Sequence, residues 1–350
     1  MSVSFYLHTP LPDDSNEWPA VARLTRLMKR HFTHDAKHYD LIFNIQPNAN
    51  IRNADGKKLT QLDALLIAPK FVSIIELKRC FKPIHAESLG APWLAGADEF
   101  QLKGGNAENP FLQVQYARQV WATYLAEKCA FRFSDVKLYE WKKRWAHLSV
   151  FLLLFPFLHP DSSLPPLETA SKWLAIRGIN DLGTLVFHTH SPNFDFPPDV
   201  TETLVTKIFN AQPWPELDTV QDEQIGSLFI YEPSRPLIRM PLYKYDDISI
   251  GRSSSQQVRI HSQFRRISKA HARIEVQNGQ VRLFDVGSTN GTFVGSKRLA
   301  DEDGYLLGVS EKALLGTKTS QKAVQIWYTL HTIEGAEEKT LYGTLETEDR

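Results

Sequence analysis

Residues 248–294 read ISIGRSSSQQVRIHSQFRRISKAHARIEVQNGQVRLFDVGSTNGTFV, and three short pieces of that stretch decide how it folds. Gly251-Arg252 closes one apolar, β-branched run, Ser268-Lys269-Ala270-His271 opens the next, and Gly287-Ser288-Thr289-Asn290-Gly291-Thr292 fills a turn. Runs at 237–243, 248–252, 258–260, 272–276, 281–285 and 292–294 are separated by turn residues, which predicts the short strands of an all-β sandwich. A phosphate carries nearly two negative charges and three acceptor oxygens, so it calls for a guanidinium and several neutral donors converging from loops. Arg252 supplies the charge, while Ser268 and Thr289 supply hydroxyls. Gly287 and Gly291 suit backbone at positive φ. The glycine-rich run lacks the Lys-Ser/Thr ending of a nucleotide-binding loop, which disfavours an ATP site.

In this order and spacing the three pieces resemble the forkhead-associated (FHA) family over residues 225–329. The resemblance implies a phosphothreonine-containing protein as partner. By the same resemblance, Arg252 and Ser268 would hold the phosphate, with Thr289 near it. Asn290 would hydrogen-bond the peptide backbone, Lys269 would touch the ligand, and His271 would be a buried strut orienting the loops. Arg265 and Arg266 add basic character beside the pocket.

Upstream, 210–225 is rich in proline and acids (Pro213, Pro215, Glu216, Asp218, Asp222, Glu223) and is expected to be a linker. Downstream, 332–350 is expected to be a mobile acidic tail, with Thr340, Thr344 and Thr347 as candidate phosphorylation sites for docking on the β module. At 350 residues the chain exceeds a typical single core. The expected organisation is therefore a domain at 1–209, a linker at 210–225, a β domain at 226–331 and a tail at 332–350.

The first half is expected to be mixed α/β, making the whole chain α+β. Helices are predicted over 20–32, 110–128 (Pro110 at its start, Asn109 as cap) and 200–209, and strands over 41–47, 61–68, 71–78, 148–155, 173–176 and 185–189. Residues 61–78, QLDALLIAPKFVSIIELK, read as a hairpin turning at Pro69-Lys70. Alternation puts Glu76 and Lys78 on one face and the hairpin brings Asp63 alongside. Two carboxylates and an ammonium at a strand end suit a divalent cation and a water nucleophile: Asp63 and Glu76 offer hard oxygen ligands for Mg²⁺ or Mn²⁺, and Lys78 can steady developing charge during phosphodiester hydrolysis.

This arrangement resembles the nuclease-related domain (NERD) of the PD-(D/E)xK superfamily, whose fold is restriction-endonuclease-like. The resemblance assigns Asp63 and Glu76 as metal ligands and Lys78 as catalytic lysine. Asn109-Pro110-Phe111-Leu112-Gln113 resembles the family's Asn-Pro-x-x-Gln segment, which adds Gln113 to the site. Glu17 is the candidate for the early-helix glutamate, without the glycines that normally precede it, and Leu62 stands where the superfamily has proline. The implied activity is metal-dependent cleavage of nucleic acid, DNA in the first instance. Glu-x-Lys alone is common, so two other readings stay open: a catalytically inactive, phosphothreonine-dependent adaptor, and a domain that binds nucleic acid without cutting it.

Forty acidic residues balance forty basic ones, so net charge names no partner. Cys80 and Cys129 lack any CxxC or Cys/His spacing, which disfavours a disulfide framework or zinc finger. Residues 1–19 show no secretory pattern. The longest apolar run, 148–158, is broken by Pro156 and is shorter than the roughly 20 residues of a membrane span. The expectation is a cytoplasmic protein with no membrane contact. His31, His34 and His38 at helical spacing, and His188 with His190 on an expected strand face, read as structural. Trp141-Lys142-Lys143-Arg144-Trp145 mixes bases and aromatics as a nucleic-acid surface does, or forms a solvated turn.

Overall fold

The computed structural model describes residues 3–12, 15–97, 99–192, 194–217, 223–277, 279–300, 304–319 and 323–330. The proposed tail sites Thr340, Thr344 and Thr347 lie outside them. The hairpin read at 61–78 forms as β3 (Leu62–Ala68) and β4 (Phe71–Cys80), paired antiparallel in a register that ends with Ala64 opposite Ile75. It lies in a seven-stranded mixed sheet with β1 (Val3–Leu7), β2 (Tyr39–Ile45), β8 (Ser149–Pro156), β9 (Leu174–Gly178) and β10 (Gln212–Pro213), ordered β10-β1-β2-β3-β4-β8-β9. Three two-residue strands, β5 (Ile84–His85), β6 (Leu94–Ala95) and β7 (Phe100–Gln101), form a small separate sheet.

β8 is an unbroken apolar run, and seven of its eight residues are buried. That is the signature of a strand covered on both faces. One face packs under α2 (Pro110–Arg132) and α3 (Leu138–Trp145). The other packs under α1 (Trp18–Phe32) and α4 (Leu182–His188). The first half is thus mixed α/β, as expected.

Several local expectations give way to packing. Of residues 185–189, expected as a strand, the first four belong to α4: Leu182 and Val186, one helical turn apart, bury against the α1 face, and His188 ends that helix instead of pairing with His190. Trp141 and Trp145 lie on one face of α3 and are 1% and 0% exposed, so neither ring is available to stack on a base. Residues 200–209 are helical in α5 (Pro198–Thr203) followed by a π turn, Leu204–Ile208. Part of the expected linker is not free chain, because Gln212–Pro213 pairs with β1 while Trp214 and Leu217 enter the core. Among the described residues no helix is long and apolar enough to cross a membrane.

The second half is an all-β sandwich. β11 (Gln224–Tyr231), β12 (Ile238–Tyr243), β17 (Thr292–Val294), β18 (Lys297–Arg298), β20 (Ala313–Leu315) and β21 (Val324–Leu330) form one sheet. β13 (Asp247–Gly251), β14 (Val258–Arg259), β15 (Ala272–Gln277), β16 (Gln280–Asp285) and β19 (Tyr305–Leu306) form the other. Inward aliphatic residues such as Ile230, Ile250, Ile274, Leu283 and Ile326 fill the space between them.

The α/β half and the sandwich meet at several places. Arg79, at the end of β4, lies 2.9 Å from Glu275 and 3.3 Å from Asp247 of the sandwich, and Arg273 bridges the same two acids at 2.7 and 2.8 Å. Arg26 of α1 pairs with Asp246, and Trp18 stacks on Tyr245 at 5.5 Å. Phe157, just beyond β8, is buried against Ala270 and Val286. Burial pushes the Asp247 carboxyl up, and Arg273 and Arg79 pull it back. Asp247→Ala should therefore cost about 3 kcal/mol, because it leaves the Arg273 and Arg79 guanidiniums on Glu275 alone. Asp195→Ala, which breaks the exposed Lys70–Asp195 pair, should cost less than about 1 kcal/mol. Urea denaturation compares the two, and equal losses would show that the interdomain cluster is not desolvated.

Candidate functional site

The carboxylate site forms where the β3–β4 ladder stops. Beyond Ala64 and Ile75 the strands separate, and the Asp63 carboxylate takes the place of a ladder acceptor, receiving the Leu77 N–H at 2.7 Å. β4 itself stays paired to β8 as far as Cys80, so Glu76 and Lys78 project from rigid strand. Glu76 Oε1 accepts from Lys78 Nζ at 2.6 Å and from Gln113 Nε2 at 2.7 Å. All four residues singled out in the sequence meet here.

Gln113 reaches Glu76 because the start of α2 is fixed. Asn109 caps it by accepting from Leu112 N at 2.9 Å, and its amide donates to the carbonyls of Leu89 and Ala91 at 3.1 and 2.6 Å. The chain also passes closely at Gly104: a Cβ there would lie 2.3 Å from the Asn109 carbonyl oxygen and 2.7 Å from Gln113 Cβ. Gly104 was not legible as a site residue, since nothing local to it signals that approach.

Glu17 joins the group from the opposite helix. It is the N-cap residue of α1 but its side chain caps nothing. It lines a cavity of about 200 Å³ together with Asp63, Lys78, Arg79 and Phe155. Arg79 is the second member that the sequence did not announce.

Desolvation dominates the electrostatics. Burial, then the Asp63 charge, pushes Glu76 up to about 8, against the opposing pull of Lys78 and Gln113. Asp63 is raised by burial, with the Leu77 N–H and Lys78 opposing. Partial burial, and then Asp63, raises Glu17. A site this rich in buried carboxylates favours either protons or a cation.

The donor set fits a hard divalent ion. Asp63 and Glu76 are carboxylates, and the buried Gln113 Oε1 has no hydrogen-bond partner. Two carboxylates completed by substrate oxygens suffice for Mg²⁺. Among the described residues no three His, Cys, Asp or Glu side chains cluster closely enough to enclose an ion by themselves.

The second site lies at the loop end of the sandwich, where three segments tie one another together. Arg252 Nε donates to the Ile267 carbonyl and Arg252 N to the Ser268 carbonyl at 3.0 Å. Thr289 N donates to Ser268 Oγ at 3.1 Å, and Asn290 Nδ2 to the Arg266 carbonyl at 2.9 Å. Arg252, Ser268, Thr289 and Asn290 are therefore brought together. Lys269 flanks them, with Nζ 2.6 Å from Asp161 of the first domain.

The turn at 287–291 is held from beneath. Asp285 accepts from both the amide and the hydroxyl of Ser288 at 2.6 Å, and Ser288 Oγ accepts from Gly291 N at 2.9 Å. Gly287 and Gly291 adopt φ of 81° and 85°. His271 is wholly buried. Its Nδ1 accepts from Ser268 N at 3.0 Å and its Nε2 lies 3.2 Å from the Gly291 carbonyl. That pairing makes His271 the strut between the Ser268 and Gly291 loops and fixes its neutral tautomer.

Burial lowers the His271 pKa from 6.5 to about 4, against Asp285 and the Gly291 carbonyl. The unfolded chain thus takes up this proton first on acidification, so stability should fall as pH drops from 6.5 towards 4. The loss is at most about 3 kcal/mol. His271→Gln should flatten this part of the pH profile in thermal unfolding; an unchanged slope would mean that His271 is not buried neutral.

The FHA domain family model matches residues 248–310. Among solved structures, the FHA domain of an Arabidopsis thaliana hypothetical protein is similar at 24% identity, covering 32% of this chain and 92% of that one with a TM-score of 0.27. The FHA domain of a Chlamydia trachomatis protein is 18% identical (31% and 99% covered, TM-score 0.26). The N-terminal FHA domain of S. cerevisiae Rad53p, solved with a phosphothreonine peptide, is 15% identical (31% and 94%, TM-score 0.27). Among curated proteins none matches. The C-terminal all-β sandwich of this chain carries an FHA domain at residues 248–310.

Proposed function

We propose that this chain is a divalent-metal-dependent nuclease of the NERD type, with a restriction-endonuclease-like first domain that its FHA domain addresses to phosphothreonine-bearing proteins. The observation that carries the nuclease half is the convergence of Asp63, Glu76, Lys78 and Gln113, with Glu17, at the open end of one hairpin. Such a cluster is expensive to bury and contributes nothing to the core, so its retention points to chemistry.

Asp63 and Glu76 would hold Mg²⁺ or Mn²⁺, and the ion would supply Lewis acidity and an acidified water. Lys78 Nζ lies 2.6 Å from the Glu76 oxygen, where it would orient a water or face charge developing on a phosphodiester. Gln113 fixes the Glu76 carboxylate through Nε2, and its free Oε1 can accept from a water. DNA is the proposed substrate. At the other site Arg252 would meet the phosphate of the partner's phosphothreonine, with Ser268, Lys269, Thr289 and Asn290 around it.

One observation favours a second reading, a catalytically inactive adaptor. Glu76 Oε1 is already taken by Lys78 and Gln113, which lets the site persist as a closed ion pair. Then phosphothreonine binding would be the whole function.

Two experiments separate these readings. The chain is incubated with linear and circular DNA and Mg²⁺ or Mn²⁺, beside Asp63→Ala and Lys78→Ala. Each variant should lose at least about a hundredfold in rate; an inert parent, or variants that cut equally well, leaves the adaptor. Separately, Arg252→Ala should weaken binding of a phosphothreonine peptide at least tenfold, the loss of about 1.5 kcal/mol or more from a charge-assisted hydrogen bond. Undiminished affinity would refute the phosphate site.

A further inference from the structure

We propose that the phosphothreonine-reading surface is built by both domains, and that Asp161 of the first domain is a specificity-determining residue that suppresses selection of acidic side chains beside Lys269. The inference rests on the FHA reading above and names the class of ligand that this site takes.

The segment 157–163 leaves β8 and runs directly to the ligand loops. Phe157, 1% exposed, packs on Ala270 and Val286. Ala270 lies two residues beyond Ser268, and Val286 three residues before Thr289, so the ring braces both loops from the side. The groups proposed to meet the phosphate stay open to solvent: Thr289 and Asn290 are exposed, and Arg252 and Ser268 half-buried. The first domain is thus a wall of this surface and not a plug in it.

The wall is stiff. His159 Nδ1 accepts from Asp161 N at 3.1 Å, and Ser162 N donates to the His159 carbonyl at 2.9 Å. Ile84 and the 162–163 segment exchange two further bonds, Ile84 N to Ser162 Oγ at 3.0 Å and Ser163 N to the Ile84 carbonyl at 2.8 Å. Asp161 is therefore presented at a fixed place, with Oδ1 2.6 Å from Lys269 Nζ.

Both side chains of that pair are more than half exposed, at 54% and 56%. A pair so exposed holds too weakly to keep a ligand out. It does set the local charge. A free Lys269 beside the phosphate would attract an acidic ligand side chain; neutralised by Asp161 it offers no such attraction, and the aspartate repels the acid. Arg265 and Arg266 are exposed in the loop before Ser268. The ligand class is then a phosphothreonine segment whose Lys269-facing flank is basic or neutral.

The probe is an oriented library of phosphothreonine peptides with degenerate flanks, bound to the full chain at low salt. The parent, Asp161→Ala, Asp161→Lys and Arg252→Ala are compared. Asp161→Ala should enrich Asp and Glu over Lys and Arg at one or two flanking positions by about threefold or more, and Asp161→Lys should enrich them further at the same positions. Arg252→Ala should retain at least about tenfold less phosphopeptide than the parent. Unchanged flank preference in both Asp161 variants, with Arg252→Ala still weakened, overturns the shared surface while leaving the phosphate site standing. A parent chain that retains no phosphopeptide overturns the phosphothreonine reading and this inference with it.

Discussion

Asp247 has no access to water, and the rest of the interdomain arrangement follows from that constraint. A carboxylate in such a place must be compensated by charge and hydrogen bonds or lose its ionisation. One compensating guanidinium, Arg273, comes from its own sandwich, and the other, Arg79, comes from the end of β4 in the α/β domain. Glu275 closes the cluster by contacting both arginines. Two acids face two guanidiniums, and without Arg79 the sandwich would keep Asp247 and Glu275 on Arg273 alone. Aliphatic packing alone would tolerate sliding. A buried charge cluster with fixed hydrogen-bond directions does not, so it sets one relative placement of the two domains.

That placement brings two chemistries close along the chain. Arg79 follows Lys78, and both line the carboxylate cavity with Asp63 and Glu17. On the other side, β15 begins directly after Ser268-Lys269-Ala270-His271 and carries Arg273 on its second residue. The strand that starts beside Ser268 therefore reaches, at its second residue, the cluster that holds the edge of the carboxylate site. Phe157 adds a second bridge, since it continues β8, the strand paired with Glu76 and Lys78, into the space beside Ala270 and Val286. The two sites share a frame made of β4, β8 and β15.

What the sequence disclosed was whatever local rules control. The Pro69-Lys70 hairpin, the Asn109 cap with Pro110 behind it, and the glycines at positive φ beside Asn290 each depend on a few neighbours, and each forms as read. The grouping of Asp63, Glu76, Lys78 and Gln113 was legible because strand alternation and a capped helix fix directions over short distances. Residues 185–189 were misread because five residues carry too little period to separate strand from helix, and burial against α1 decided the matter. Gln212–Leu217 looked like linker by composition, yet Trp214 and Leu217 bury in the core. Gly104, Arg79, Asp247 and Asp161 act through partners far along the chain, so no spacing rule could single them out.

The contacts across the domain boundary differ in what burial lets them do. The Asp247 carboxylate is dry, and losing either guanidinium leaves two acids on one cation. The Lys269–Asp161 pair is wet on both sides, and water can replace either partner at little cost. A ligand approaching the FHA loops therefore meets a boundary that is fixed at Arg79 and Phe157 but exchangeable at Lys269. His271 extends the same logic inward. Buried neutral, with one ring nitrogen accepting from Ser268 and the other facing the Gly291 carbonyl, it holds the two loops in register without adding a charge. The positive potential at the loops is thereby left to Arg252 and its exposed basic neighbours, with Asp285 engaged by Ser288 beneath the turn and Asp161 at the Lys269 edge.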